Sequence, residues 1–381
     1  MGLPGHDGSV AESADLIIVG AGIVGLAHAV EARRRGLSVR VIDRDARAVG
    51  ASVRNFGHCC LSAQPSEHDA LVAASRQGWL AAAEASGLPV RTDGGLVVAR
   101  SGAQLMLLEE FAAARPDRAR LLTAAEVADA VRGGAEPGGL VGGLALTQDL
   151  RVDPRITVGR LADWLAGEGV RFDWRTACLG AADGVVHTTR GELRADRVLV
   201  CVGHDVDLLW PEVADAAGIQ RCGLQMALVD QPEGLRTHAA VLTATSMLRY
   251  GGLAAMPAAT EVRAEVTEQV PELLEMVANV MLAPRPDGSL LVGDSHVYDL
   301  SLEPFLDEEI SDRLLREIAA VLGVERLRVR QRWQGVYASS AHSDLLVEHA
   351  DARTTIVSVT CGVGMTLSFG LARRVLDEFG V

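Results

Sequence analysis

The sequence predicts an α/β protein with an α+β remainder, because its first 43 residues spell strand, glycine turn, helix and strand in a Rossmann-like βαβ order. A β-branched run, Asp15-Leu16-Ile17-Ile18-Val19, leads directly into Gly20-Ala21-Gly22-Ile23-Val24-Gly25. Leu26 to Arg35 then alternates apolar and basic residues at helical spacing until Gly36 stops it. Leu37-Ser38-Val39-Arg40-Val41-Ile42-Asp43 reads as a second buried strand with an acid at its end.

In that setting each glycine has a purpose. The first allows the tight turn, the second lets backbone approach a pyrophosphate, and the third packs helix on strand, while the helix N-terminus offers N–H groups to phosphates. Asp43 lies 18 residues past the last glycine, near the distance expected for a carboxylate on a ribose hydroxyl. Gly20, Gly22, Ile23, Val24, Gly25 and Asp43, with Arg44 following, are therefore candidate contacts to a dinucleotide. The polar, Gly-rich stretch Gly50 to Gly57 suits an extended ligand better than a helix or strand, and adds Ser52, Arg54 and Asn55. Thr355 to Thr360 reads as an alternating strand that runs into Cys361-Gly362-Val363-Gly364-Met365-Thr366 and a closing helix through Phe379. A second glycine turn at a helix start would stabilise negative charge on the pyrimidine edge of a reduced flavin, which an NAD enzyme does not need. FAD is thus the expected cofactor, with Gly362, Gly364, Met365 and Thr366 at its ring.

Composition excludes other classes. The chain has 381 residues, 49% hydrophobic and 23% charged, as expected of one large or two interleaved globular domains. Its net charge of −14 repels phosphate backbones, so no nucleic-acid partner is expected. All 36 basic residues are Arg, which removes Schiff-base and phosphate-loop lysine chemistry. Six scattered cysteines with no C-x-x-C pair and no secretory leader point to a reduced, cytoplasmic location. No membrane span is expected, since no uninterrupted apolar run reaches about 18 residues. Gly-x-Ser-x-Gly is missing, which leaves hydrolase chemistry without support. His204, His296 and His342 read as loop histidines without metal-ligand spacing, and no metal is expected. Residues 1–13 are expected to be flexible, and Arg132–Gly139 and Gly251–Thr260 read as loops, the second as a cover over the site.

Taken together, Ile17 to Asp43, Val152-Asp153-Pro154-Arg155 with the helix Ile156–Glu168, Ala195 to Gly203, Asp287 to Gly293, Trp333-Gln334-Gly335 and Gly362–Ser368 resemble the FAD-dependent oxidoreductases related to D-amino-acid oxidase, glycine oxidase and sarcosine oxidase. The resemblance implies a D-amino-acid-oxidase-like fold: an FAD-binding domain from 14–75, 150–215 and 325–381, including Gly203, and a discontinuous substrate domain from 76–149 and 216–324 on a mainly antiparallel sheet. It also implies oxidation of a C–N bond by hydride transfer to flavin N5, followed by imine hydrolysis to an aldehyde or keto acid. Where some relatives carry a histidine joined to the flavin this chain has Asn55, so non-covalent FAD is expected.

The substrate side departs from the amino-acid oxidases. Those typically place a carboxylate-binding Arg two residues after the Gly of Trp-x-Gly, and here that position is Tyr337. Arg249, in Met247-Leu248-Arg249-Tyr250-Gly251-Gly252, is the candidate replacement, and a guanidinium matches phosphonate oxygens in a fork. His58 and Tyr250 are the candidate catalytic residues. Gly50 to Gly57 and Ser246 to Tyr250 resemble a narrower bacterial group linked to phosphonate breakdown, which implies a substrate such as 2-aminoethylphosphonate or its N-methyl derivative. Sarcosine-oxidase relatives use a lysine to help oxygen accept electrons, and this chain has none, so the acceptor is left open between oxygen and another molecule. Three alternatives stay open at this level: an amino-acid or sarcosine oxidase, an NAD(P)H-dependent flavin monooxygenase, and a flavin subunit that needs a partner.

Overall fold

The computed structural model describes residues 13–132 and 139–380. The N-terminal stretch 1–13, apart from Ser13, and the loop 132–139, apart from its two ends, lie outside the described residues. Two eight-stranded sheets organise the rest.

The first sheet runs Leu345–His349, Thr354–Val359, Gly191–Val200, Ala14–Val19, Val39–Ile42, Arg171–Asp173, with a hairpin of Cys178–Ala182 and Val185–Thr188 on the third strand. Its four pairings from Thr354–Val359 to Arg171–Asp173 are parallel, and only the Leu345–His349 edge and the hairpin run antiparallel. Parallel strands are covered on both faces, which is why Leu16, Ile17 and Ile18 form an unbroken apolar run rather than an alternating one. The helix Ile23–Arg34 begins three residues earlier than its periodicity suggests, because the turn is complete at Gly22, its N-cap.

Two long helices cover one face of this sheet. Asp69–Ser86 lies against Gly364–Glu378, with the Trp79 ring tilted against Phe369 at 4.8 Å between centroids and its Nε1 donating to the Met365 carbonyl at 2.8 Å. The domain boundary expected at 75/76 falls within this helix, which packs along Gly364–Glu378. The two helices approach closely at Gly370, where a Cβ would sit 2.2 Å from the Leu71 carbonyl oxygen. Gly370→Ala is expected to destabilise the protein by about 2–4 kcal/mol through overpacking, read as a lower midpoint in chemical denaturation; an unchanged midpoint would refute the close fit.

The second sheet runs Val329–Ser339, Gln220–Asp230, Ser289–Asp299, Met281–Pro284, Ala240–Leu242, Gly95–Ala99, Gly142–Leu146, Ala119–Thr123. It is antiparallel except where Ala240–Leu242 lies parallel to Gly95–Val97. Helices Gly102–Ala114, Ala259–Gln269 and Glu308–Leu322 bury Leu107, Val262 and Leu314 in the core beside it. The boundary expected at 325 is displaced, because Val329–Ser339 pairs along Gln220–Val229 and carries the second sheet to Ser339. Polar residues in Val329-Arg330-Gln331-Arg332 hide that pairing from a hydrophobicity reading. Gly251–Thr260 is not a loop either. Gly251–Ala254 is a short helix whose Gly252 N donates to the Ala63 carbonyl at 2.9 Å, and Ala259 opens the next helix. Among the described residues, no helix is long and apolar enough to cross a membrane.

Candidate active site

A cavity of about 690 Å³ lies between the two sheets, bordered by the Gly20–Val24 turn, Asp43, the Gly50–Phe56 loop and the start of helix Gly364–Glu378 on one side, and by Arg249, Asp294, His296, Tyr298 and Tyr337 on the other.

The Gly20–Gly25 turn leaves no room for side chains at its first and last glycines. Gly20 has φ +105°, and a Cβ there would lie 2.4 Å from the Cys201 carbonyl oxygen. Gly25 does not reach the cavity; it packs beneath, where a Cβ would meet the Gly20 carbonyl at 2.0 Å. Ser52 reaches across from the Gly50–Gly57 loop and accepts from Ile23 N at 2.9 Å, tying that loop to the first turn of the helix. The Asp43 carboxylate accepts from Ala21 N at 2.8 Å and Asp45 N at 2.9 Å, and burial holds its pKa above the usual carboxylate value against those hydrogen bonds. Each carboxylate oxygen keeps a second lone pair for a ligand hydroxyl.

The other expected cofactor residues reach the same cavity by different routes. Arg44 pairs with Asp205 at 2.7 Å, two residues past Gly203. Arg54 donates to the Gln334 carbonyl at 3.3 Å, which links the flexible guanidinium to the second sheet. Asn55 spends its amide on its own loop, donating to the Ala51 carbonyl and accepting from Gly57 N. Gly362 has φ +81°, and a Cβ there would lie 2.9 Å from the Tyr337 hydroxyl. That glycine therefore makes room for the phenol as well as opening the helix at Gly364, Met365 and Thr366.

His58 is buried. Its Nε2 lies 2.8 Å from Asp149 Oδ2, and Asp149 Oδ1 accepts from Ser62 N at 2.7 Å. Tyr250 stands edge-on to His58 at 6.4 Å, with its hydroxyl on the Met281 sulfur at 3.7 Å and burial raising its pKa well above the phenol range, so it is a neutral donor. His204 is the middle residue of the short 3₁₀ turn Gly203–Asp205, and His342 is exposed. His296 is no loop histidine: it is buried in the strand Ser289–Asp299, and burial with the nearby Arg249 charge pushes its pKa down to about 3.

Arg249 is half-buried and does not extend a solvated head. Its two terminal nitrogens donate to the Tyr298 hydroxyl at 3.2 Å and the Tyr337 hydroxyl at 2.8 Å, and among the described residues it pairs with no carboxylate. Asp294 also lines this end, 3% exposed, and burial pushes its pKa up to about 7 against the opposing effects of Arg249 and Asn279. Neither Asp294 nor Tyr298 stands out as a site residue in the sequence. The available signal is the alternation Asp294, His296, Tyr298 on an otherwise apolar strand, three polar side chains on one face.

The family model described as FAD dependent oxidoreductase matches residues 15–378. The chain belongs to that family. Among curated proteins, none matches the sequence. Among solved structures the FAD-dependent chain is similar to L-amino acid deaminase from Proteus vulgaris with its insertion deleted (19% identity, 98% of this chain and 92% of that one, TM-score 0.74). It is likewise similar to glycine oxidase from Geobacillus kaustophilus (19% identity, 96% and 95%, TM-score 0.74). A third similar structure is L-alpha-glycerophosphate oxidase from Mycoplasma pneumoniae with FAD bound (18% identity, 97% and 95%, TM-score 0.72). The mixed sheets of this fold and the βαβ turn open to a cavity fit FAD. In the FAD-dependent enzyme the helix start at Gly22 and Ile23 would face the pyrophosphate, Asp43 the ribose, and the Gly362–Thr366 turn the ring.

Gly25→Ala is expected to remove FAD, because the added methyl cannot fit over the Gly20 carbonyl. The check is the flavin-to-protein ratio after purification, and a fully loaded variant would refute the assignment of that turn.

Proposed function

We propose that this FAD-dependent enzyme oxidises the C–N bond of a small amine carrying a separate anionic group, of the class of 2-aminoethylphosphonate or its N-methyl derivative. Bound FAD supplies the two-electron acceptor. The observation that carries the reading is Arg249, a cation in the cavity wall that hydrogen-bonds two phenols and, among the described residues, no carboxylate. An arginine always bears its charge, so one whose hydrogen bonds go to two neutral phenols is suited to a ligand anion. Tyr337 strengthens this. Its oxygen accepts from Arg249, and its own O–H, beside the Cys222 thiol, can turn to donate to the same ligand. The Tyr298 hydroxyl on the other nitrogen is placed to do likewise. Three converging donors match the oxygens of a phosphonate better than the two of a carboxylate.

The test is anaerobic bleaching of the yellow protein by 2-aminoethylphosphonate, its N-methyl form, glycine and sarcosine in parallel. Bleaching by the phosphonates supports the reading. Bleaching by glycine or sarcosine alone would replace it with an amino-acid or N-methyl amino-acid substrate. No bleaching would move the assignment toward a monooxygenase or a partner-dependent subunit. Tyr337→Phe is expected to weaken the active amine by about 1 kcal/mol, roughly fivefold in KM, with FAD content intact; an unchanged KM would remove Tyr337 from the anion site.

A further inference from the structure

The end of the cavity that holds Arg249 also holds an acid, and the two do not pair. Asp294 sits where the ladder between Gln220–Asp230 and Ser289–Asp299 slips: Gln225 faces Ser295 and Met226 faces Gly293, so Asp294 has no partner across that pairing. Its backbone instead exchanges two hydrogen bonds with Asn279, N to O at 2.9 Å and O from N at 2.8 Å. Asp294, His296 and Tyr298 alternate along the strand and line the same end of the cavity.

The carboxylate that arrives there is incompletely satisfied. The Asn279 side chain hydrogen-bonds the carboxylate, yet Oδ1 is buried without a hydrogen-bond partner, and Oδ2 lies 3.8 Å from His296 Nε2. His296 gives its Nδ1 to the Val277 carbonyl at 2.8 Å, and the site keeps it neutral, so it does not neutralise the acid. Arg249 is near enough to influence Asp294 but turns its nitrogens to the two phenols. A buried carboxylate oxygen without a donor is costly in a native protein unless something else fills the place.

We propose that Asp294 is the ammonium-binding residue of this site, and that Asp294 and Arg249 select substrates that carry a cationic amine and an anion at once. This rests on the proposed amine-oxidising function and deepens it: Arg249 recognises the anion, Asp294 Oδ1 accepts from the ammonium N–H, and the neutral His296 with Tyr298 walls the space beside them. A des-amino anion would leave Asp294 buried and unpaired, so the acid works as a filter as well as a contact.

The experiment is calorimetric titration of the FAD-loaded enzyme under anaerobic conditions with two matched pairs of probes, 2-aminoethylphosphonate against ethylphosphonate and glycine against acetate. The wild-type enzyme is expected to bind the amino member of at least one pair at least tenfold more tightly. In Asp294→Asn the gap should fall below about threefold while the des-amino member keeps its affinity. A gap that persists in Asp294→Asn overturns the proposal, and so do equal affinities within both pairs in the wild-type enzyme, a comparison that needs no variant. Failure of the underlying function is read separately, since an amine that binds through Asp294 but never bleaches the flavin leaves the recognition intact and removes the oxidation.

Discussion

Arg249→Met is expected to weaken the active amine by about 2–3 kcal/mol, roughly 30- to 150-fold in KM, with FAD content unchanged. The loss is large because the guanidinium provides charge and the orientation of two phenols together: without it, the Tyr298 and Tyr337 hydroxyls lose the partner that points them. A second consequence separates this from simple loss of packing. Arg249 is the charge that opposes the upward shift of Asp294, so in Arg249→Met the Asp294 carboxyl should titrate above its value of about 7. The binding of the zwitterionic amine then requires a higher pH than in the wild-type enzyme. An unchanged KM, or an unchanged pH dependence of binding, would place Arg249 outside the substrate site.

Asp294→Asn is expected to stabilise the folded protein at pH 8 by about 2–4 kcal/mol and to change it little below pH 4. The sign follows from proton linkage. The Asp294 carboxyl titrates near 3.8 in the unfolded chain and near 7 in the folded one, so between those values the folded state holds a proton that the unfolded state has released. Stability contributed by this group therefore falls as pH rises through that window, and the full cost, at most about 4 kcal/mol at 1.36 kcal/mol per pH unit, is felt above pH 7. The amide has no such titration. Buried His28, pushed down to about 4, acts in the opposite direction and costs stability as pH falls below 6.5, but it is common to both proteins and cancels in the difference. Chemical denaturation of both proteins at pH 4 and pH 8 is the check. A variant less stable at pH 8 would mean that the carboxylate has a partner in solution. An acid retained at this cost is what a functional site looks like when binding and stability compete.

Local chemistry made much of the fold legible. The Gly20–Gly25 turn needs a positive φ at Gly20 and no side chain at Gly25, and both demands arise from atoms within one βαβ unit and the adjacent Cys201 strand end. Asp43 follows from the length of a helix plus a strand, and the Gly362–Gly364 turn from a strand that must end before a helix begins. The unbroken apolar run at Leu16–Val19 states that both faces of that strand are covered. These features repeat in any chain with the same short-range pattern, which is why FAD and the family could be read from sequence.

The substrate end was not legible in the same way, because its groups meet through long-range pairing. Arg249 reads equally well as a solvated arginine until Tyr298 and Tyr337, 49 and 88 residues away, accept its hydrogen bonds. Asp294 is one acid among many in the sequence until Ser289–Asp299 pairs with Gln220–Asp230 and brings it to the cavity wall. Likewise, Val329–Ser339 joins the second sheet only by pairing with a strand about a hundred residues earlier. Sequence by itself determined the parts whose partners lie within a turn, a helix or a strand: the nucleotide turn, its acid and the class of cofactor. Tertiary structure alone decided which charges share a cavity and which remain without a protein partner, since burial and electrostatic pairing depend on contacts between distant segments that no local spacing encodes.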